Sequence, residues 1–159
     1  MQRSERKRRL KIVSGGQSGV DRAALDAAIV VGFDYGGWCP RGGWAEDLTT
    51  APGLLGRYPA LKEMLSPGPA QRTRWNIRDS DAMLFLTGAV GMSVSRGTRL
   101  VRAEARRLGK PQLLVRLNDP DRLDTATKWL LLSSEVQTLN FGGPRESEAP
   151  GIYEEAFRF

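Results

Sequence analysis

Short apolar runs alternate along the chain with glycine-bearing turns and amphipathic stretches, and this alternation predicts most of the elements. Residues 10–14 (LKIVS) form an apolar, β-branched run that enters Gly15-Gly16-Gln17-Ser18-Gly19, a buried strand meeting a tight turn. Residues 20–31 are rich in alanine, with Ala24, Leu25, Ala28 and Ile29 on one helical stripe and Gly32 placed as a carboxyl-terminal cap. Residues 81–87 (DAMLFLT) are apolar enough for a central strand of a parallel sheet, covered on both faces. A second turn, 88–98, leads into a helix over 99–108 that packs through Leu100, Val101, Ala105 and Leu108 and stops at Gly109-Lys110-Pro111. Residues 112–117 read as another buried strand, Asp119 or Asp121 as the cap of a helix running through Trp129 to Leu132, and 136–140 as a last strand before the Gly142-Gly143-Pro144 turn.

Residues 36–70 break the pattern. Gly, Pro and Trp recur there with no sustained period of either kind, so the segment reads as a long irregular excursion, functional rather than merely connecting, with a short helix over 72–80 after it. The βαβαβαβ-like order implies an α/β fold: a three-layer, Rossmann-like parallel sheet with helices on both faces and ligands bound beyond the carboxyl ends of its strands. Residues 1–10 are expected to be a basic disordered tail and 11–159 a single ligand-binding domain.

Composition narrows the chemistry. The 159 residues include no histidine and one cysteine, Cys39, which excludes an internal disulfide, any Ser-His-Asp or Cys-His arrangement and an ordinary zinc site. Cys39 in Trp-Cys-Pro reads as a small buried residue or, alternatively, a metal ligand. The longest apolar runs are too short to span a bilayer and the start lacks a signal-peptide pattern, so a cytoplasmic protein is expected. Of the net charge of +6, residues 1–11 carry +5 and the other 148 residues +1, so contact with nucleic acid is expected only through the tail, if the tail is more than a solvated terminus.

The first turn, SGGQSGVDRAALD, carries the strongest local signal. Glycines let the backbone approach an anion, and the amides and dipole at a helix start favour negative charge, so Gly15, Gly16, Gln17, Ser18 and Gly19 are candidate phosphate contacts. The pattern is neither the dinucleotide fingerprint nor a Walker loop, and the glycines could instead serve tight strand–helix packing. Asp21 could bond a ribose or pterin group and Arg22 a phosphate; Asp21 could equally complement the helix dipole, and Arg22 pair with Asp26. The second turn offers Ser95, Arg96, Gly97 and Thr98 to the other end of a ligand, with Thr98 a simple cap in the alternative. Arg57, Lys62, Arg72, Arg74 and Arg78 interleave with Trp38, Trp44, Tyr58 and Trp75, a combination that could stack a ring and hold its phosphate or, for the rings, form a local core. Asn76, Asp79 and Asp81 stand just before the central strand, where a polar ligand could be oriented.

These segments together resemble the molybdenum cofactor carrier family. The likeness is carried by SGGQSGVDRAALD, GGWCPRG with AEDL, RYPALKE, QRTRWNIRDSDAMLFL, GTRLVRAEARRLGKP and NFGGPRESEAPGIY, in order, over roughly residues 11 to 153. That family is a circularly permuted member of a Rossmann-like group that includes the lysine-decarboxylase-like phosphoribohydrolases and DNA-processing protein A. The resemblance implies a homo-oligomeric protein that binds molybdopterin, the molybdenum cofactor or a related nucleotide-like ligand and delivers it to molybdoenzymes. It carries over Gly15, Gly16, Gln17, Ser18, Gly19, Asp21, Arg41, Gly97 and Thr98. Where the family has Gly-Gly-Thr before the helix, this chain has Arg96-Gly97-Thr98, so Arg96 fills or supplements the anion site. A carrier without catalytic residues is the leading expectation. The alternative is a nucleotide-processing hydrolase using Asp21, Glu46, Asp47 or Glu104 as general base.

Overall fold

The computed structural model describes residues 10–65, 69–88 and 96–159. Strands β1 (Lys11–Val13), β2 (Asp34–Cys39), β3 (Leu61–Glu63), β4 (Ala82–Thr87), β5 (Gln112–Arg116) and β6 (Thr138–Gly142) form one sheet in the order β3-β2-β1-β6-β4-β5, with every pair parallel. Helices α1 (Val20–Val31), α2 (Leu54–Arg57), α3 (Pro69–Arg78), α4 (Arg96–Arg107), α5 (Arg122–Leu132) and α6 (Ile152–Arg158) complete the Rossmann-like α/β architecture.

Strand β4 shows why the layers form. All six of its residues are buried, and its side chains alternate between two cores. Ala82, Leu84 and Leu86 meet Val20 and Ala23 of α1, Ala126 of α5 and Ile152 of α6, whereas Met83 and Phe85 meet Ile77 of α3 and Ala105 of α4. A third cluster under β2 joins Leu25, Cys39, Leu54, Tyr58 and Leu61. Strands β2 and β3 spread from β1 in one direction, β5 lies outside β4 in the other, and β6 returns between β1 and β4. The helices that follow β1 and β4 therefore part to opposite faces, which opens a crevice at the carboxyl ends of the central strands.

The excursion over 36–70 is not structureless: it contains most of β2, a 3-10 turn (Arg41–Gly43), α2, β3 and a bridge between Ala45 and Leu48. Strand β2 (DYGGWC) shows no period because two of its six positions are glycine, one of which must lack a side chain. At Gly37, φ is +133° and a Cβ would strike the Ser14 carbonyl oxygen, with Asn76 Oδ1 3.0 Å away. The α1 stripe is corrected too: Val20, Ala23, Leu25 and Ala28 are buried, while Ile29 is exposed. Helix α4 begins at Arg96 and packs through Thr98, Val101 and Ala105; Leu100 is 61% exposed and Leu108 also faces solvent, since the strip available against β4 and α3 is narrow. Strand β6 starts two residues late because the Asp81 carboxylate accepts the Gln137 and Thr138 amides and the Thr138 hydroxyl, setting its register. Helix α6, which has no counterpart in the expected pattern, packs on α1 through Ile152 and Ala156.

Candidate functional site

Beyond Val13 the chain turns through residues 14–19 into α1, and every residue of this turn is buried. The Ser14 hydroxyl accepts the Gly16 amide and donates to the Asp21 carbonyl, folding the loop back on the first helical turn. Gln17 Oε1 accepts the amides of Ser18 and Glu46. The space a side chain would need at Gly16 (φ +73°) is filled by Leu54 and Leu61, and at Gly19 (φ +77°) by the backbone of Pro144, Arg145 and Glu146. These two glycines thus serve close packing, the alternative that the sequence left open. Gly15 and Gln17 are the loop residues that reach the crevice.

The crevice has a volume of about 590 Å³. Its floor is apolar, with Met83 and Phe85 of β4, Phe141 of β6, and Leu100 and Val101 of α4. Its walls bear Arg72 and Arg74 of α3, Arg107 of α4 and Arg145 from the segment after β6, against Asp21, Glu104 and Glu148. Arg72 is central: its guanidinium lies where a side chain at Gly15 would stand, and its Nη1 is 3.1 Å from Asp21 Oδ2. The two side chains are only 12% and 14% exposed. Burial pushes the Asp21 carboxyl above its ordinary range, outweighing the downward pull of Arg72, the Gln17 amide and Arg22. Among the described residues, two buried polar atoms have no partner: Arg72 Nε and the Thr87 hydroxyl at the end of β4.

The model of the circularly permutated YpsA SLOG family matches residues 12–159. The chain belongs to that family. No curated protein matches it. Among solved structures it is similar to the "Putative molybdenum carrier protein" from Syntrophus aciditrophicus SB, with 37% identity, a TM-score of 0.78, and coverage of 92% of this chain and 89% of the other.

In this family member the residues singled out from sequence do not all converge. Gly15, Gln17, Asp21, Asn76, Gly97 and Thr98 line the crevice. Asn76 is also a clamp, accepting the Trp38 amide at 2.7 Å and donating to the Trp38 carbonyl at 2.9 Å. Gly16, Ser18, Gly19 and Arg22 are turned away. Arg22 is buried, bonded to the Gly16 carbonyl and bidentate to Asp47 at 2.9 and 2.8 Å, which holds the Asp47 carboxyl below its ordinary range. It does not pair with Asp26, which instead accepts the hydroxyls of Tyr58 and Tyr153 and an N–H of Arg57. The Ser18 hydroxyl donates to Glu46 and accepts the Glu146 amide, and Ser147 also donates to Glu46, so that carboxyl too lies below its ordinary range. Arg41 is exposed in the 3-10 turn and Arg96 at the start of α4; neither lines the crevice. Ser95 and residues 1–9 lie outside the described residues.

Of the four acids considered as bases, Asp21 and Glu104 face the crevice, and Glu104 is engaged by Arg107 at 2.7 Å and held low. Asp79 pairs with Arg78 and Trp38, and Asp81 sits at the opposite end of β4. Cys39 is buried in the cluster under β2, its thiol pushed up to about 11 by burial. Among the described residues, no group of three or more potential metal ligands occurs and no helix is long and apolar enough to cross a membrane. Sequence reasoning missed the β6 wall of Asn140, Phe141, Gly142 and Gly143, although Asn-Phe-Gly-Gly repeats the strand-then-glycine signal seen at the first turn.

Proposed function

We propose that the crevice binds a phosphate-bearing molecule with a flat ring, holding it without turnover. The observation that carries this reading is the shared wall of Gly15 and Arg72 above an apolar floor of Phe85, Phe141 and Val101, at the carboxyl ends of β1, β6 and β4. Arg72 supplies guanidinium donors for phosphate, Gly15 leaves the space that the Arg72 guanidinium occupies, and the floor accepts a ring. A volume near 590 Å³ suits a nucleotide-sized ligand. Molybdopterin or the molybdenum cofactor, as cargo, fits these phosphate and ring demands. The described crevice offers no thiol or imidazole to molybdenum, so the pterin and its phosphate would be the recognised parts. The name of the structural relative, a molybdenum carrier, supports a carrier role, and we extend the reading to a cytoplasmic homo-oligomer that delivers such cargo to molybdoenzymes.

Isothermal titration of the purified protein with molybdopterin and with ADP-ribose tests it. Micromolar binding, about 8 kcal/mol, is expected; affinity weaker than about millimolar for both ligands refutes the reading. A second reading, hydrolysis of a nucleotide-derived substrate, is favoured by one observation: the Asp21 carboxyl faces the crevice, where a general acid or base would stand, and burial raises its pKa. Release of free base or ribose phosphate from a nucleotide panel, lost in Asp21→Asn, would establish it, and no turnover across the panel would dismiss it.

A further inference from the structure

The fold sorts charge by layer. Helices α3 and α4 carry eight arginines against one acid, Glu104, a net +7. Residues 12–159 carry +1 in total, so that span outside the two helices is −6. The near-neutral body that the sequence suggests is therefore strongly polarised in three dimensions. The crevice uses Arg72, Arg74 and Arg107 of this set; Arg78, Arg96, Arg99 and Arg106 are exposed and lie outside its lining.

Beside the carboxyl end of α3, Lys110 and Lys62 extend this set of cations. Lys110 Nζ, just past α4, donates to the Arg78 carbonyl at the end of α3. Arg78 lies 4.8 Å over the Trp75 ring, Trp75 meets Trp38 edge to face, and Lys62 lies 5.6 Å over Trp38. Asp79, Asp81 and Glu104 offset part of this charge. Like charges gathered on one layer repel, a cost that a polyanion would reverse.

We propose that the α3–α4 layer is a face that binds the phosphodiester backbone of a polynucleotide. Helix α4 is about 18 Å long, spanning about five phosphate steps of one strand at ~3.4 Å each along a duplex axis. Its cations are guanidinium forks, matched to phosphate, and the two helices contain no lysine. An anionic membrane is a poorer fit, since Leu100 and Leu108 are the exposed large apolar residues of the α4 segment and Leu100 lines the crevice.

Fluorescence anisotropy of the full chain with labelled single-stranded RNA, single-stranded DNA and duplex DNA, between about 50 and 200 mM salt, tests this. The triple variant Arg78→Gln/Arg99→Gln/Arg106→Gln should bind at least about tenfold more weakly and lower the slope of log K against log salt by about two to three. The charge-matched control on α5 and α6, Arg122→Gln/Lys128→Gln/Arg158→Gln, should bind like the parent. If the triple variant does not fold, Arg78→Gln and Arg106→Gln singly, each expected to lose about threefold, take its place. Parent-like binding by the α3–α4 variants overturns the proposal, as does loss of binding confined to a tail variant, Arg6→Gln/Arg8→Gln/Arg9→Gln. Capture by phosphatidylserine vesicles with no oligonucleotide binding overturns it as well.

Discussion

Replacing Asp21 with Asn preserves the side chain's shape and removes its charge, and the crevice sets the size of the response. A phosphate seated on Arg72 would lie within about 5 Å of the Asp21 carboxylate, and two unit charges at that distance repel by about 3 kcal/mol at an effective dielectric of about 20. Allowing for the open mouth of the crevice, Asp21→Asn should tighten ADP-ribose binding by about 1.4 to 2 kcal/mol at pH 8, tenfold or more. The parent's affinity should fall as pH rises through the folded pKa of Asp21, which burial places above the usual value, while the Asn variant stays flat. Stability follows the same sign. A carboxyl with a raised folded pKa contributes stability that is present below its unfolded value near about 3.9 and is lost as pH rises through the folded one. The Asn variant should therefore be at least as stable as the parent at pH 8 by urea unfolding. Calorimetric titration and unfolding across pH provide the measurements. A tenfold loss of affinity in a folded variant refutes the placement of phosphate beside Asp21. A stability loss beyond about 2 kcal/mol would mean that the need of Arg72 for a counter-charge outweighs burial.

Arg72→Lys keeps the charge but loses the fork, and should weaken ADP-ribose binding by about 1.5 to 3 kcal/mol with little change in unfolding, checked by calorimetry. Gly19→Ala places a Cβ against Pro144 and Arg145 at φ +77°, so chemical denaturation should show a loss of at least about 2 kcal/mol. Glu46 and Asp47 have lowered folded pKa values, so their contribution is present above the unfolded values near about 4 and lost as pH falls through the folded ones; Glu46→Gln should flatten the acid limb of a stability–pH profile.

The segments legible in the sequence share a property: their signal is local. The glycine turn after β1, the wholly buried β4 and the glycine stop after α4 each announce themselves within a dozen residues. Strands β2 and β3 were hidden because one carries two glycines, with Gly37 pressed against Ser14 and Asn76, and the other is a three-residue edge. Ser18 and Arg22 resemble phosphate ligands in sequence, but their partners, Glu46 and Asp47, lie 28 and 25 residues away.

From residue order alone came the layered parallel sheet and the expectation of a site at strand ends, because periodicity and turn chemistry are properties of neighbouring residues. Tertiary structure decided which donors face the crevice, that Arg72 lies over Gly15 beside Asp21, and that α3 and α4 gather eight arginines on one layer. Those outcomes depend on how strands distant in sequence are ordered in the sheet, and burial and charge act through distance in space rather than along the chain.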